Sequence, residues 1–144
     1  DMPAYKTAQT ELQSMQDKFK KDLEDMQKEL QTKYEKFQQE VNDKTPENIR
    51  SRRQQELAEL SQKLDQARAD DEKALQEASS QKMQPIITKV MDAINAVAKE
   101  GNYVYIMDSN AAQSAGIFIN PALSENVTAK IRTKLGLSAS SAKK

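Results

Sequence analysis

From Tyr5 to Val41, apolar side chains recur every three or four residues: Tyr5, Ala8, Leu12, Met15, Phe19, Leu23, Met26, Leu30, Tyr34, Phe37 and Val41. The mean spacing is about 3.6 residues, the repeat of a straight α-helix, whereas a strict heptad averages about 3.5 and imposes a left-handed supercoil. The stripe therefore predicts a nearly straight amphipathic helix with a single partner, on the order of 60 Å long at about 1.5 Å per residue. A second stripe follows at Ile49, Leu57, Leu60, Leu64, Ala67, Leu75, Ala78, Ile86, Val90, Ile94 and Val97. It keeps the helical period but places Arg53, Asp71 and Lys82 where apolar residues are due, so this helix is covered less completely. A helix with one narrow apolar stripe gains little from propensity and must bury that stripe against something. The simplest partner for each helix is the other, folded back antiparallel.

The segment NDKTPENIRSRR, residues 42–53, then reads as the tip of a hairpin. Thr45 is the expected N-cap, Pro46 suits the first helical position where its missing N–H costs nothing, and Glu47 puts a carboxylate in the first turn. Lys44, Arg50, Arg52 and Arg53 make the tip locally basic. They are the candidate contact for an acidic surface or a phosphate-rich headgroup, against the plainer reading of a solvated tip. No aromatic residue lies beside the cluster to stack on bases, which argues against nucleic acid.

Composition narrows the chemistry. The 144 residues contain no Cys and no His, which removes thiolate nucleophiles, imidazole bases and most zinc, haem or copper ligation. Asp70 and Asp71 alternate with Arg68 and Lys73 as on a solvated helix face, not as a metal or acid/base pair. We therefore expect no catalytic residues, no metal and no cofactor. Lys+Arg and Asp+Glu are equal at 22 each, and no window reaches the roughly 18 apolar residues of a membrane span. No signal peptide is present in the sequence, and the lack of Cys suits an exported chain as well as a cytosolic one.

The hairpin is expected over 1–84, ending at Pro85, because proline inside a helix kinks or ends it. Residues 85–137 differ in kind and should form a small α+β body. PIITKVMDAINAVAKEG reads as a helix stopping at Gly101, and NYVYIM as a buried strand. DSNAAQSAG reads as a turn or loop, and IFIN as a short second strand closed by Asn120–Pro121. NVTAKIRTKLGL reads as a short helix with Asn126 as N-cap and Gly136 beyond its end. The tail, 138–144, is expected to be disordered. Two strands make no independent sheet, and the apolar residues here exceed what one helix covers. The body should therefore complete itself by oligomerising through Tyr103, Val104, Tyr105, Ile106, Ile117, Phe118 and Ile119.

The order of helix, tip, longer helix, NYVYIMD, a Ser/Asn/Ala/Gly loop and GIFINPALSENVTAKIRTKLG resembles the Skp (OmpH) family of periplasmic chaperones. In that family a hydrophobic strand ending in Asp precedes a loop, a short aromatic strand and a segment similar to Asp-Ile-Thr that opens the last helix. The matching residues here are Tyr103 to Asp108, Ile117 to Ile119, and Asn126, Val127 and Thr128. The resemblance implies a mostly α protein whose long hairpin tentacle projects from an α+β body that completes its β-sheet as a homotrimer. It also implies a periplasmic, ATP-independent holdase gripping unfolded outer-membrane proteins in a cavity between tentacles, with weak membrane-surface or lipopolysaccharide contact. The family opens with a strand before its first helix, whereas this sequence opens at DMPAYKTAQ, and familiar members are strongly basic where this chain is neutral. A holdase needs many weak, adaptable contacts, which Met2, Met15, Met26 and Met83 on the hairpin suit. The rival reading is a scaffolding coiled coil that binds one folded partner helix.

Overall fold

The computed structural model describes residues 2–138, and the expected disordered tail lies outside the described residues but for Ser138. Four helices follow in order: α1 (Pro3–Glu40), α2 (Glu47–Gly101), α3 (Ser109–Ser114) and α4 (Thr128–Lys134). The backbone divides into two compact units, residues 7–81 and residues 1–6 with 82–144.

The first unit carries most of α1, the connection, and the first part of α2. Along α1 the residues withdrawn from solvent are Ala8, Leu12, Met15, Phe19, Leu23, Met26, Leu30 and Phe37, all on the predicted stripe. Tyr5 and Tyr34, on the same stripe, remain about half exposed. On α2 the corresponding residues include Leu57, Leu60, Leu64, Ala67, Leu75 and Ala78, with Leu64 and Ala8 the most deeply buried in this unit. The opposite faces carry ladders of charge at i,i+4 spacing, among them Lys20–Glu24 and Lys33–Glu29. Such exposed pairs each contribute a few tenths of a kcal/mol at most. The stripe, not the charges, determines how the helix is used.

Across the hairpin Arg53 lies 3.8 Å from Glu40. A fold-back centred on residue 45 places Glu40 beside Arg50, so the register is shifted by about one helical turn. The turn explains the shift. Asn42 accepts the Lys44 N–H on its side chain at 2.9 Å and the Thr45 N–H on its carbonyl at 2.9 Å. The Thr45 hydroxyl accepts the Asn42 N–H at 3.0 Å and donates to the Glu40 carbonyl at 3.5 Å. Thr45 thus closes the turn and covers an orphan carbonyl at the end of α1, where the sequence suggested an N-cap for α2. The Pro46 carbonyl accepts the Ile49 and Arg50 N–H groups, opening α2 with proline just before its first turn.

Pro85 does not end the second helix. α2 continues unbroken through it to Gly101, a 55-residue element about 80 Å long at 1.5 Å per residue. One missing N–H and the ring clash cost roughly 3 kcal/mol in a helix interior, and the helical residues on both sides outweigh that cost.

The second unit holds the end of α2 with α3 and α4. Its buried residues are Ala93 and Val97 on α2, Ala112 on α3, and Val127 at the start of α4. Val127, Ile131 and Leu135 recur at i,i+4 on α4 and are all withdrawn from solvent. Among the described residues there is no β-strand, so the strands expected at NYVYIM (102–107) and IFIN (117–120) are not formed within the single chain. A strand exists only through a hydrogen-bonded neighbour, and no backbone hydrogen bond joins these two segments within the chain. The DSNAAQSAG segment is helical where a loop was expected, because the Asp108 carboxylate caps α3 by accepting the Ala111 N–H at 2.8 Å.

Candidate functional site

Residues expected to mediate assembly are positioned by the ends of helices. α2 ends in a Schellman turn in which the Tyr103 N–H donates to the Ala98 carbonyl at 3.0 Å and the Asn102 N–H to the Lys99 carbonyl at 3.4 Å. The left-handed residue of that turn is Asn102, φ 49°, one position past the glycine expected to stop the helix. Gly101 serves a different purpose: a Cβ there would overlap the Tyr103 ring, 2.6 Å from its Cδ2. Glycine lets the ring fold back over the helix end.

Tyr103 is then tied to the start of α4. Its hydroxyl donates to the Glu125 carboxylate and accepts from Lys130 Nζ at 2.9 Å, while Lys130 lies 2.6 Å from Glu125 and 5.5 Å from the ring centroid. The Lys130 ammonium and the Tyr103 hydroxyl hold the Glu125 carboxyl below its ordinary value, and the same contacts raise Lys130. Lys134 pairs with Glu100, a second tie between α4 and the end of α2.

Beyond this clamp the chain runs out with its apolar side chains uncovered. Val104 is 83% exposed, Tyr105 79% and Phe118 84%. Ile117 is also exposed, while Tyr103, Ile106 and Ile119 are partly covered. α3 separates the two segments and ends in another Schellman turn, the Ile117 N–H donating to the Ala112 carbonyl with Gly116 at φ 72°. After Ile119 a turn about Pro121 returns the chain, with the Asn120 side chain accepting the Ala122 N–H at 3.0 Å. The N-cap of α4 is Val127, without a side-chain bond, one residue after the expected Asn126, whose side chain instead accepts the Thr128 N–H at 3.0 Å in a turn leading into the helix; Gly136 at φ 70° follows the helix end.

Further apolar residues not named from sequence are also exposed in this unit. Leu123 is 87% exposed, and Met107, Ile87 and Met91 are about half exposed. Met107 was legible, since it continues the run from Tyr103, and so were Ile87 and Met91, four residues apart on an apolar helix. Leu123, alone in a turn, carried no signal.

The basic tip is less free than its sequence suggests. Arg50 Nη2 donates to the Asn42 carbonyl at 2.9 Å and its Nε lies 4.0 Å from Glu47. Arg53 lies between Glu40 and Glu56, and Arg52 lies 3.9 Å from Glu56. Only Lys44 has no acidic partner among the described residues. The four cations therefore do not converge on one vacant anion position.

Among the described residues no group of three or more acidic side chains is arranged to hold a metal ion, and no helix is long and apolar enough to cross a membrane. What the residues define is a helical hairpin and a small helical unit with several uncovered apolar side chains. The family model described as "Outer membrane protein (OmpH-like)" matches residues 1–135, and the chain belongs to that family. The family is one of periplasmic chaperones of outer-membrane proteins, not of enzymes. No curated protein and no solved structure matches the chain.

Proposed function

We propose that this protein is an ATP-independent holdase that binds unfolded outer-membrane proteins in the periplasm, in a cavity between the hairpins of a homotrimer. The observation that carries the proposal is the pair of non-helical segments at 104–107 and 117–119, where Val104, Tyr105, Met107, Ile117 and Phe118 are exposed and, among the described residues, only the Ile117 N–H makes a backbone–backbone hydrogen bond. Exposed apolar runs with unpaired backbone are templates for strand pairing between copies. Family membership supports the client class. In this reading Tyr103–Ile106 and Ile117–Ile119 pair across three protomers, and the clamp on Tyr103 aims the first segment.

The hairpin supplies the grip. A chaperone for many apolar sequences needs compliant surfaces and numerous weak contacts rather than one fitted pocket. Contact of the tip with lipopolysaccharide or a membrane surface is a minor part of the proposal and falls to Lys44 and Arg52, the most open of the tip cations.

The test is solution mass by light scattering, with and without a urea-denatured outer-membrane β-barrel diluted into the sample. A trimer that keeps the barrel soluble in a defined complex without nucleotide is the expected result. Tyr105→Asp should lower the mass while leaving the helical circular dichroism nearly unchanged. A wild-type monomer or dimer indifferent to the barrel would overturn the proposal and favour a scaffold with a folded partner.

A further inference from the structure

Within residues 7–81, midway along the hairpin, α1 and α2 do not close on one another. An open groove of about 560 Å³ separates them, with Phe19, Leu23 and Leu75 among its walls. At this level α2 presents Asp71, a half-buried carboxylate at a phase of the stripe where an apolar residue is due. An apolar side chain there would extend the seam. A carboxylate resists desolvation and keeps the seam wet.

The charge around the groove is uneven. Of its cations, Lys20 lies 3.8 Å from Glu24 and Arg68 lies 3.9 Å from Asp65. Of its anions, Asp17 accepts from Gln13 at 2.9 Å. Asp71 and the neighbouring Glu72 have neither an ion pair nor a side-chain hydrogen bond among the described residues. The groove thus combines apolar walls with two uncompensated negative charges along one helix.

We propose that this groove is a subsite for extended, unfolded polypeptide in which an apolar or aromatic residue stands next to Lys or Arg. The apolar side chain enters between Phe19, Leu23 and Leu75, and the adjacent cation reaches Asp71 and Glu72. Successive residues of an extended chain point to opposite sides, about 3.3 Å apart along the strand, so one side chain enters while its neighbour lies toward the rim. Unfolded strands of membrane β-barrels have the required alternation of apolar and polar residues. The inference rests on the holdase reading and names the chemistry that part of the hairpin prefers: basic-flanked segments over acidic ones.

Two labelled soluble peptides test it, one built of adjacent Phe-Lys pairs spaced by Thr, the other with Glu replacing every Lys. Fluorescence anisotropy on the whole protein at low salt should show the basic peptide binding at least about fivefold more tightly, a preference that salt reduces. The near-isosteric double variant Asp71→Asn, Glu72→Gln should abolish the preference without loss of helix. Asp71→Leu, which closes the seam, should weaken both peptides. Equal binding of the two peptides by the wild type, absence of binding by both, or an unchanged preference in the double variant would overturn the subsite. Retention of a denatured β-barrel, measured alongside, separates this proposal from its parent: a protein that holds the barrel without preferring the basic peptide remains a holdase without this subsite. One that shows the preference but releases the barrel keeps the subsite and loses the holdase reading.

Discussion

At the scale of single residues, the informative positions are where α2 gives way to the exposed segment. Asn102 adopts φ 49°, a region that asparagine tolerates and most side chains resist. Asn102→Ala should therefore destabilise by about 1 kcal/mol, while Asn102→Gly should be neutral or slightly stabilising, as read from denaturant midpoints. The adjacent clamp makes a pH prediction. The Glu125 carboxyl is held below its ordinary value of 4.5, so its contribution to stability is fully present above that value and lost as pH falls through the lowered one. Lys130 is shifted up, so it stays charged throughout that range. The difference in Tm between wild type and Glu125→Gln should be constant from neutrality to about pH 5 and shrink steadily below it. Sequence pointed to Gly101 as the helix stop, and α2 ends there, but the left-handed residue that turns the chain is Asn102. A glycine kept for a ring that folds back on it looks, in one dimension, like a glycine kept for its φ.

At the scale of elements, the two helices were legible because 3.6-residue periodicity survives every local irregularity. All the α1 positions withdrawn from solvent lie on the predicted stripe. Burial along it is unequal, and mutations should report the inequality. Leu64→Ala should cost about 2–3 kcal/mol, since Leu64 is 5% exposed, whereas Tyr34→Ala at the half-exposed end of the stripe should cost about 1 kcal/mol or less. Pro85→Ala should raise stability by about 1–3 kcal/mol by restoring an N–H to a helix that already runs through that position. α2 runs through Pro85 because the penalty of proline is local while the helical residues on both sides are many. The strands were not realised for the opposite reason. Val104, Tyr105 and Phe118 have strand chemistry, but strand structure depends on a neighbour that no periodicity within one chain specifies. The groove was half legible: Asp71 stood out of phase, and only its placement beside Phe19 gave the departure a location.

At the scale of the whole molecule, equal numbers of acidic and basic residues conceal a local arrangement. The tip arginines are matched by Asn42, Glu40, Glu47 and Glu56, whereas Asp71 and Glu72 stand without compensation in the groove. Salt should consequently affect the choice among peptides more than the integrity of the hairpin. Circular dichroism at 50 mM and 500 mM NaCl is expected to agree closely, because exposed i,i+4 pairs contribute little to stability. The family could be read from the order of elements and the run from Tyr103 to Asp108.

The uncovered segments on either side of α3 also affect what a melting curve measures. In the proposed assembly, side chains that find cover only on other copies couple folding to mass action, so the chain's stability becomes a property of the solution as well as of the sequence. Dilution should then lower Tm, and the wild-type curve should converge at low concentration on that of Tyr105→Asp, whose own Tm should hardly depend on concentration.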